Sequence, residues 1–128
     1  MFVHDTPAEP GSWRYVRKRE EADLGFKNNP DVRAFFFGHS HQPGVWTPEH
    51  FMVAEPGRKF DFSERVMVNV GSVGQPRDRD PRACFVLLNE PEGSIEFVRV
   101  PYDIEAAQAK ILAAGLPPVL AARLATGE

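Results

Sequence analysis

Hydrophobic and polar positions change their period several times along the chain, and each change marks an element. Val32 to Phe37 is a nearly continuous apolar run, which predicts a buried strand covered on both faces. It stops at Gly38, so Gly38-His39-Ser40-His41-Gln42-Pro43 is a loop at the strand's carboxyl end, where open α/β sheets place their ligands. Upstream, Met1-Phe2-Val3 reads as the end of a strand that runs into His4, a sign that something normally precedes it. Proline and glycine make residues 6–12 a loop, after which Ser12 can cap a short helix through Trp13, Tyr15 and Val16. A second helical stretch runs from Arg17 to Asn28, with Ala22, Leu24 and Phe26 as its apolar positions, and Asn29-Pro30 ends it. Gly44 to Pro48 leads away from the histidine loop, and the pattern then turns β-rich: Phe51 to Ala54, Val66 to Val70, Ala83 to Leu88 and Ser94 to Val100. Glu90-Pro91-Glu92-Gly93 joins the last two as a hairpin turn, so the second half is expected to be largely antiparallel. Asp103 then caps a helix from Ile104 to Ala114, with Ala107, Ile111 and Leu112 facing the body and Gly115 stopping it. Pro117-Pro118 restarts a short helix through Leu120 and Leu124 that closes at Gly127.

Composition narrows the class. A chain of 128 residues is one domain at most, and its ten phenylalanines supply large buried area per residue. Charges are interspersed and the net charge is −3, which argues against a general nucleic-acid-binding surface. The single cysteine, Cys84, has no intrachain partner and sits beside Phe85-Val86-Leu87-Leu88, so it is expected in the core of a protein kept reduced. No basic stretch leads into a long apolar one and no apolar run reaches bilayer length, so a cytoplasmic location without membrane association is expected.

The candidate chemistry is concentrated in three places. His39 and His41, one residue apart on a loop, are suited to metal ligation, since neutral imidazole is a common ligand, although loop histidines can also simply hydrogen-bond nearby. Gly71-Ser72-Val73-Gly74 can turn its amides into an anion-friendly concavity beside such a site, or be a tight turn between strands. Arg77, nearest that turn, is the candidate phosphate contact, whereas Arg79 and Arg82 alternate with Asp78 and Asp80 as in a solvated, self-compensating loop. His50 reads as a surface histidine.

The order of Phe2-Val3-His4-Asp5-Thr6-Pro7, Gly38-His39-Ser40-His41 and Asn69-Val70-Gly71-Ser72-Val73-Gly74-Gln75-Pro76-Arg77 resembles the carboxyl-terminal half of the calcineurin-like metallophosphoesterases. Among these it is most similar to small bacterial members predicted from sequence to be phosphodiesterases, and the likeness extends to Val100-Pro101-Tyr102-Asp103 and the helical tail. The resemblance implies an α/β (α+β) fold. Residues 1–128 would be part of a four-layer α/β/β/α sandwich, mainly its carboxyl-terminal sheet with flanking helices. It implies two divalent metal ions of the manganese, iron or zinc type, with His4 and His39 on one and His41 on the other. Ser40 would orient the loop, and Gly71, Ser72 and Arg77 would border the substrate. Asp5 stands where relatives carry a small residue; it could hold His4 from behind or cap the following loop.

Family members draw further ligands, and the likely general acid, from an Asp-x-His, a Gly-Asp and a Gly-Asn-His, none of which occurs in this sequence. Three histidines without a bridging carboxylate balance the charge of two divalent ions poorly, so the chain alone is expected to be inactive or nearly so. Three readings follow. One is a hydrolase portion acting on a phosphate-ester small molecule or nucleotide, and another is a non-catalytic binding or assembly module. The third is a homo-oligomer paired through exposed sheet edges.

Overall fold

Phe35, Phe36 and Phe37 set the layering, because successive side chains of a strand point to opposite faces. They lie on β1 (Ala34–Phe37), which pairs in parallel with β5 (Val66–Asn69), Phe36 standing opposite Val68. The next strand of this sheet is β2 (Gly44–Trp46), antiparallel to β5, and β3 (Phe51–Val53) closes it, giving the order β1-β5-β2-β3. A second, antiparallel sheet has the order β4-β7-β6, built from β4 (Lys59–Asp61), β6 (Ala83–Asn89) and β7 (Ser94–Val100). This computed structural model describes residues 1–62 and 64–128.

Phe36, Val45, Val66 and Val68 point from the first sheet toward Phe60, Cys84, Ile95 and Phe97 of the second, and together they form the core between the sheets. Phe35, Phe37, Trp46 and Met67 point the other way, onto Val16 and onto Ala22 and Phe26 of α1 (Arg19–Asn28). The central strand is thus covered on both faces, as its unbroken apolar run requires. Helix and sheet approach so closely that a Cβ on Gly25 would lie 2.6 Å from the Met67 methyl. The guanidinium of Arg65 fixes the far end of this contact, donating to the carbonyls of Phe26, Asn29 and Val32 at 3.0, 2.6 and 2.9 Å.

Several elements differ from expectation. Residues 13–16 form no helix: Trp13 has a φ of 60°, and α1 starts only at Arg19, where the Glu21 carboxylate accepts the amides of Arg17 and Lys18 at 2.7 and 2.9 Å. Leu24 faces outward, because the buried stripe of α1 runs through Ala22, Gly25 and Phe26. The strands occupy two sheets, so both β layers of the sandwich are represented, and the three-residue strands β2 and β4 fall where the sequence pattern shows connections.

Residues 1–3 do run as a strand end beside β1, with the Val3 amide donating to Phe36 and the Phe36 amide to Met1. At the other terminus Asp103 accepts the Ala106 amide at 2.9 Å and caps α2 (Ile104–Ala113), which ends before Gly115. Leu112 is 50% exposed rather than packed on the body, and α2 instead contacts α3 (Pro118–Ala122), where Gln108 donates to the Ala121 carbonyl. No helix among the described residues is long and apolar enough to cross a membrane.

The acidic and basic loop after Gln75 is held more firmly than its composition implies. Arg99 of β7, only 4% exposed at its side chain, pairs with Asp78 and Asp80 and donates to the Arg82 carbonyl. Arg82 chelates Asp80 from the solvent side. These guanidiniums hold the Asp80 carboxyl down at about 2, the hydrogen bonds from Arg82 contributing most.

Candidate metal centre

The parallel pairing of β1 and β5 brings two loops side by side at the carboxyl ends of their strands, residues 38–43 after β1 and residues 70–77 after β5. Asn69, the last residue of β5 and fully buried, ties them together. Its amide nitrogen donates to the Gly38 carbonyl at 2.9 Å and to the Ser40 hydroxyl at 2.7 Å, while its oxygen accepts the Gly71 amide at 3.0 Å. Ser40 is buried under the loop and shapes it through Asn69. Gly71 has a φ of 79°, and a Cβ there would sit 2.7 Å from the Cys84 sulfur and 2.8 Å from its Cβ. Only glycine fits that crossing.

His39 and His41 both take positive φ, 61° and 59°, an uncommon backbone state that costs about 1 kcal/mol for a residue with a side chain. The reward is placement. His39 Nε2 lies 3.0 Å from the Trp13 carbonyl and His41 Nδ1 lies 2.7 Å from the Gln75 carbonyl. A carbonyl can only accept, so each ring donates from that nitrogen and, while neutral, keeps a lone pair on the other. Burial lowers the His41 pKa, with Arg77, His39 and His4 adding to the effect against the Gln75 carbonyl, so this ring is neutral at pH 7.

His4 enters from residues 1–4 beside β1 and brings its Nε2 to 3.2 Å from His39 Nδ1. That distance suits a hydrogen bond, and it is also shorter than twice a metal–imidazole bond of about 2.1 Å, so both nitrogens can reach one ion. His41 borders the same cavity of about 430 Å³, as do Gly71, Ser72 and Cys84. The Cys84 thiol is pushed up to about 11 by burial and stays protonated there. Among the described residues no group of three or more His, Cys, Asp or Glu side chains forms a metal cage. The donor set therefore fits one imidazole-rich side of a site and lacks the anionic side that two adjacent divalent ions require.

The remaining candidates fall as follows. Asp5 is buried, and its two oxygens accept the amides of Gly11 at 3.0 Å and Trp13 at 2.5 Å. Of the two roles weighed for it, these bonds are those of a loop cap. Burial alone raises its pKa, but these amides and the nearby His39 hold it below the ordinary value. Arg77 turns its guanidinium onto the Gln75 side-chain oxygen at 2.8 Å, and its own amide donates to the His41 carbonyl. Ser72 likewise folds its hydroxyl onto the amides of Gly74 and Gln75, so this turn spends part of its polarity on itself. His50 is exposed beside Glu49.

No family model matches the chain. Its fold does match a solved structure: a metallophosphoesterase from Sphaerobacter thermophilus, TM-score 0.93 and 35% identity, over 99% of this chain and 54% of that one. The chain is part of a calcineurin-like metallophosphoesterase fold. A hypothetical protein from Pyrococcus horikoshii shares the fold at a TM-score of 0.71 and 17% identity, over 99% of this chain and 46% of that one. An uncharacterized protein of Methanocaldococcus jannaschii is 37% identical over 129 residues, covering 100% of this chain and 51% of that protein. The chain thus spans about half the length of the relatives it matches.

Within this metallophosphoesterase fold, sequence reasoning missed three contributors. Asn69 was visible as part of a motif, but its three-way tie became apparent only from the pairing of β1 with β5. Tyr15 stacks on His39 at 4.2 Å between centroids, and Trp13 meets both His4 and His39 edge-on. Trp13, Tyr15 and Arg17 recur at every second residue, the one signal of an extended segment that was available.

Proposed function

We propose that the chain supplies the histidine side of a dinuclear metal centre that hydrolyses phosphate esters, diesters or monoesters. His4 and His39 would hold one divalent ion and His41 the other. The observation that carries this reading is the aim of the rings: His4 Nε2 and His39 Nδ1 meet at 3.2 Å, and two backbone carbonyls fix which nitrogen His39 and His41 turn inward. Bound divalent ions of the manganese, iron or zinc type supply an activated water and neutralise phosphoryl charge. The chain's own part is to hold the imidazoles through Asn69 and the carbonyls of Trp13 and Gln75, and to line the approach with Gly71, Ser72 and Arg77. Carboxylate ligands and a proton donor for the leaving group would come from outside these 128 residues, so the chain alone should turn over little substrate.

The test supplies them. Mixing the chain with a polypeptide that corresponds to the other half of the Sphaerobacter thermophilus metallophosphoesterase should restore Mn²⁺-dependent cleavage of an aryl phosphodiester. His39→Ala and His41→Ala should abolish it. Undiminished cleavage by either variant would remove the histidines from the mechanism.

A further inference from the structure

Beside the histidines lies a second and larger cavity, about 770 Å³, which the proposed centre does not use. Its walls carry Trp13, Arg14, Tyr15, Arg17 and Lys18. Trp13 is 68% exposed, yet it is not loose. Its backbone sits at a φ of 60°, a state that a bulky residue rarely adopts. Asp5 holds it there through the Trp13 amide, and the Thr6 amide pins the next carbonyl, that of Arg14, at 3.2 Å. The same turn aims the Trp13 carbonyl at His39 and leaves the indole, edge-on to His4 and His39, open to the cavity.

The neighbouring rings make the arrangement continuous with the metal side. His39 stacks on Tyr15 with only 14° between planes, and the Arg17 guanidinium lies 4.0 Å from the centre of the same ring. At these distances the two cannot share a face, so His39, Tyr15 and Arg17 form one stack that leads from the histidines into the cavity. Two acidic residues also line it, but Glu9 pairs with Arg14 and Glu21 is spent on the amides of Arg17 and Lys18. Among the described residues no carboxylate pairs with the side-chain cations of Arg17 or Lys18.

We propose that this groove is a subsite for the base of a nucleoside-type phosphate ester, stacked on Trp13, with Arg17 and Lys18 facing its negative charge. The inference rests on the metal reading and names the substrate class of that same centre, the phosphate that Arg17 and Lys18 face lying beyond Tyr15 from His39 and being distinct from the one that reacts. An aromatic platform beside paired cations suits a flat base with an attached phosphate, since every base offers a π-face and the cations answer the phosphate. A sugar phosphate without a base would leave the indole unused.

Adenosine 5′-monophosphate, adenosine and ribose 5-phosphate serve as probes, each titrated against the full chain in EDTA and followed by NMR of the probe's own protons. Adenosine 5′-monophosphate should bind with its base protons shifted upfield, more tightly than adenosine, and ribose 5-phosphate should bind weakest. Trp13→Gly, which accepts the positive φ, should weaken the nucleotide by at least about fivefold, and Trp13→Tyr should retain most of the binding. Arg17→Gln should narrow the gap between nucleotide and nucleoside. Equal binding of ribose 5-phosphate and the nucleotide, or an unaffected Trp13→Gly, overturns the proposal. A parallel Mn²⁺ titration of the chain mixed with the complementary Sphaerobacter thermophilus polypeptide separates the two readings: nucleotide binding by the chain without Mn²⁺ uptake by the mixture supports this subsite and sinks the metal centre. Mn²⁺ uptake without base-dependent binding does the reverse.

Discussion

Asn69→Ala removes the buried side chain that ties the two loops of the site together from beneath. The native amide makes three hydrogen bonds in a fully buried setting, at 2.7, 2.9 and 3.0 Å. At about 1 kcal/mol net per bond the loss is about 3 kcal/mol, before any penalty for the stranded Gly71 amide and Gly38 carbonyl. Against a total stability of about 5–15 kcal/mol this is a large share. With a urea dependence near 1.5 kcal/mol/M, the unfolding midpoint should fall by about 2 M. Near-ultraviolet dichroism of the buried Trp46 reports the transition. Asn69→Asp discriminates the cause: it keeps the acceptor for Gly71 but turns an oxygen onto the Gly38 carbonyl, so it should be at least as destabilised. Ser40→Ala breaks one bond of the three and should cost about 1 kcal/mol. Its effect should be largely absent in the Asn69→Ala background, where the partner is already gone. In folded protein, Asn69→Ala should also weaken Mn²⁺ binding by about 10–100-fold, the usual scale for a residue that orients ligands. A midpoint shift below about 0.5 M, or additive effects of the two alanine substitutions, would refute the tie.

Three further outcomes follow from the same geometry. Gly71→Ala combines a positive φ with a Cβ inside the radius of Cys84, and should cost about 2–4 kcal/mol, lowering the thermal midpoint by about 10 °C. Adding Cys84→Ala should recover only part of this, because the Cβ of residue 84 remains 2.8 Å away. The Asp80 carboxyl, held at about 2 against an ordinary 3.8, contributes stability that is complete above 3.8 and disappears as pH falls toward 2. After allowance for solvent contact this is about 1 kcal/mol, and urea midpoints between pH 5 and pH 2 should show it, with the slope diminished in Asp80→Asn. We also propose that the seven-residue edge strand β6, with Leu87 53% exposed, drives self-association. Light scattering should find mass rising with concentration and Leu87→Lys suppressing the rise, and a monomer at all concentrations would end the idea.

The parts of the fold legible in the sequence were those whose signal is local. Phe35 to Phe37 announce a strand buried on both faces, and the hairpin of β6 and β7 is written in a six-residue and a seven-residue run around Glu90-Pro91-Glu92-Gly93. β2 and β4 are three residues each, too short for a period, and are strands only because β5 and β7 lie beside them. The helix expected at Ser12 fails because the Asp5 carboxylate, seven residues earlier, takes the Trp13 amide and sets a left-handed turn. That His4, His39 and His41 border one cavity was readable from their spacing and company. What holds them was not, since Asn69, Tyr15 and the carbonyls of Trp13 and Gln75 reach them across the fold rather than along the chain.

The parallel partnership of Ala34 with Val66 joins positions 32 residues apart, whereas the hairpin of β6 and β7 closes over four residues. Closing the longer span carries the greater entropy cost and returns its contacts only when complete. The hairpin can therefore assemble early, while the loops bearing His39 and Gly71 acquire their shape only after that distant rejoining. A nascent or partly folded chain would meet cations with scattered imidazoles, and selective capture would begin only once the molecule is whole.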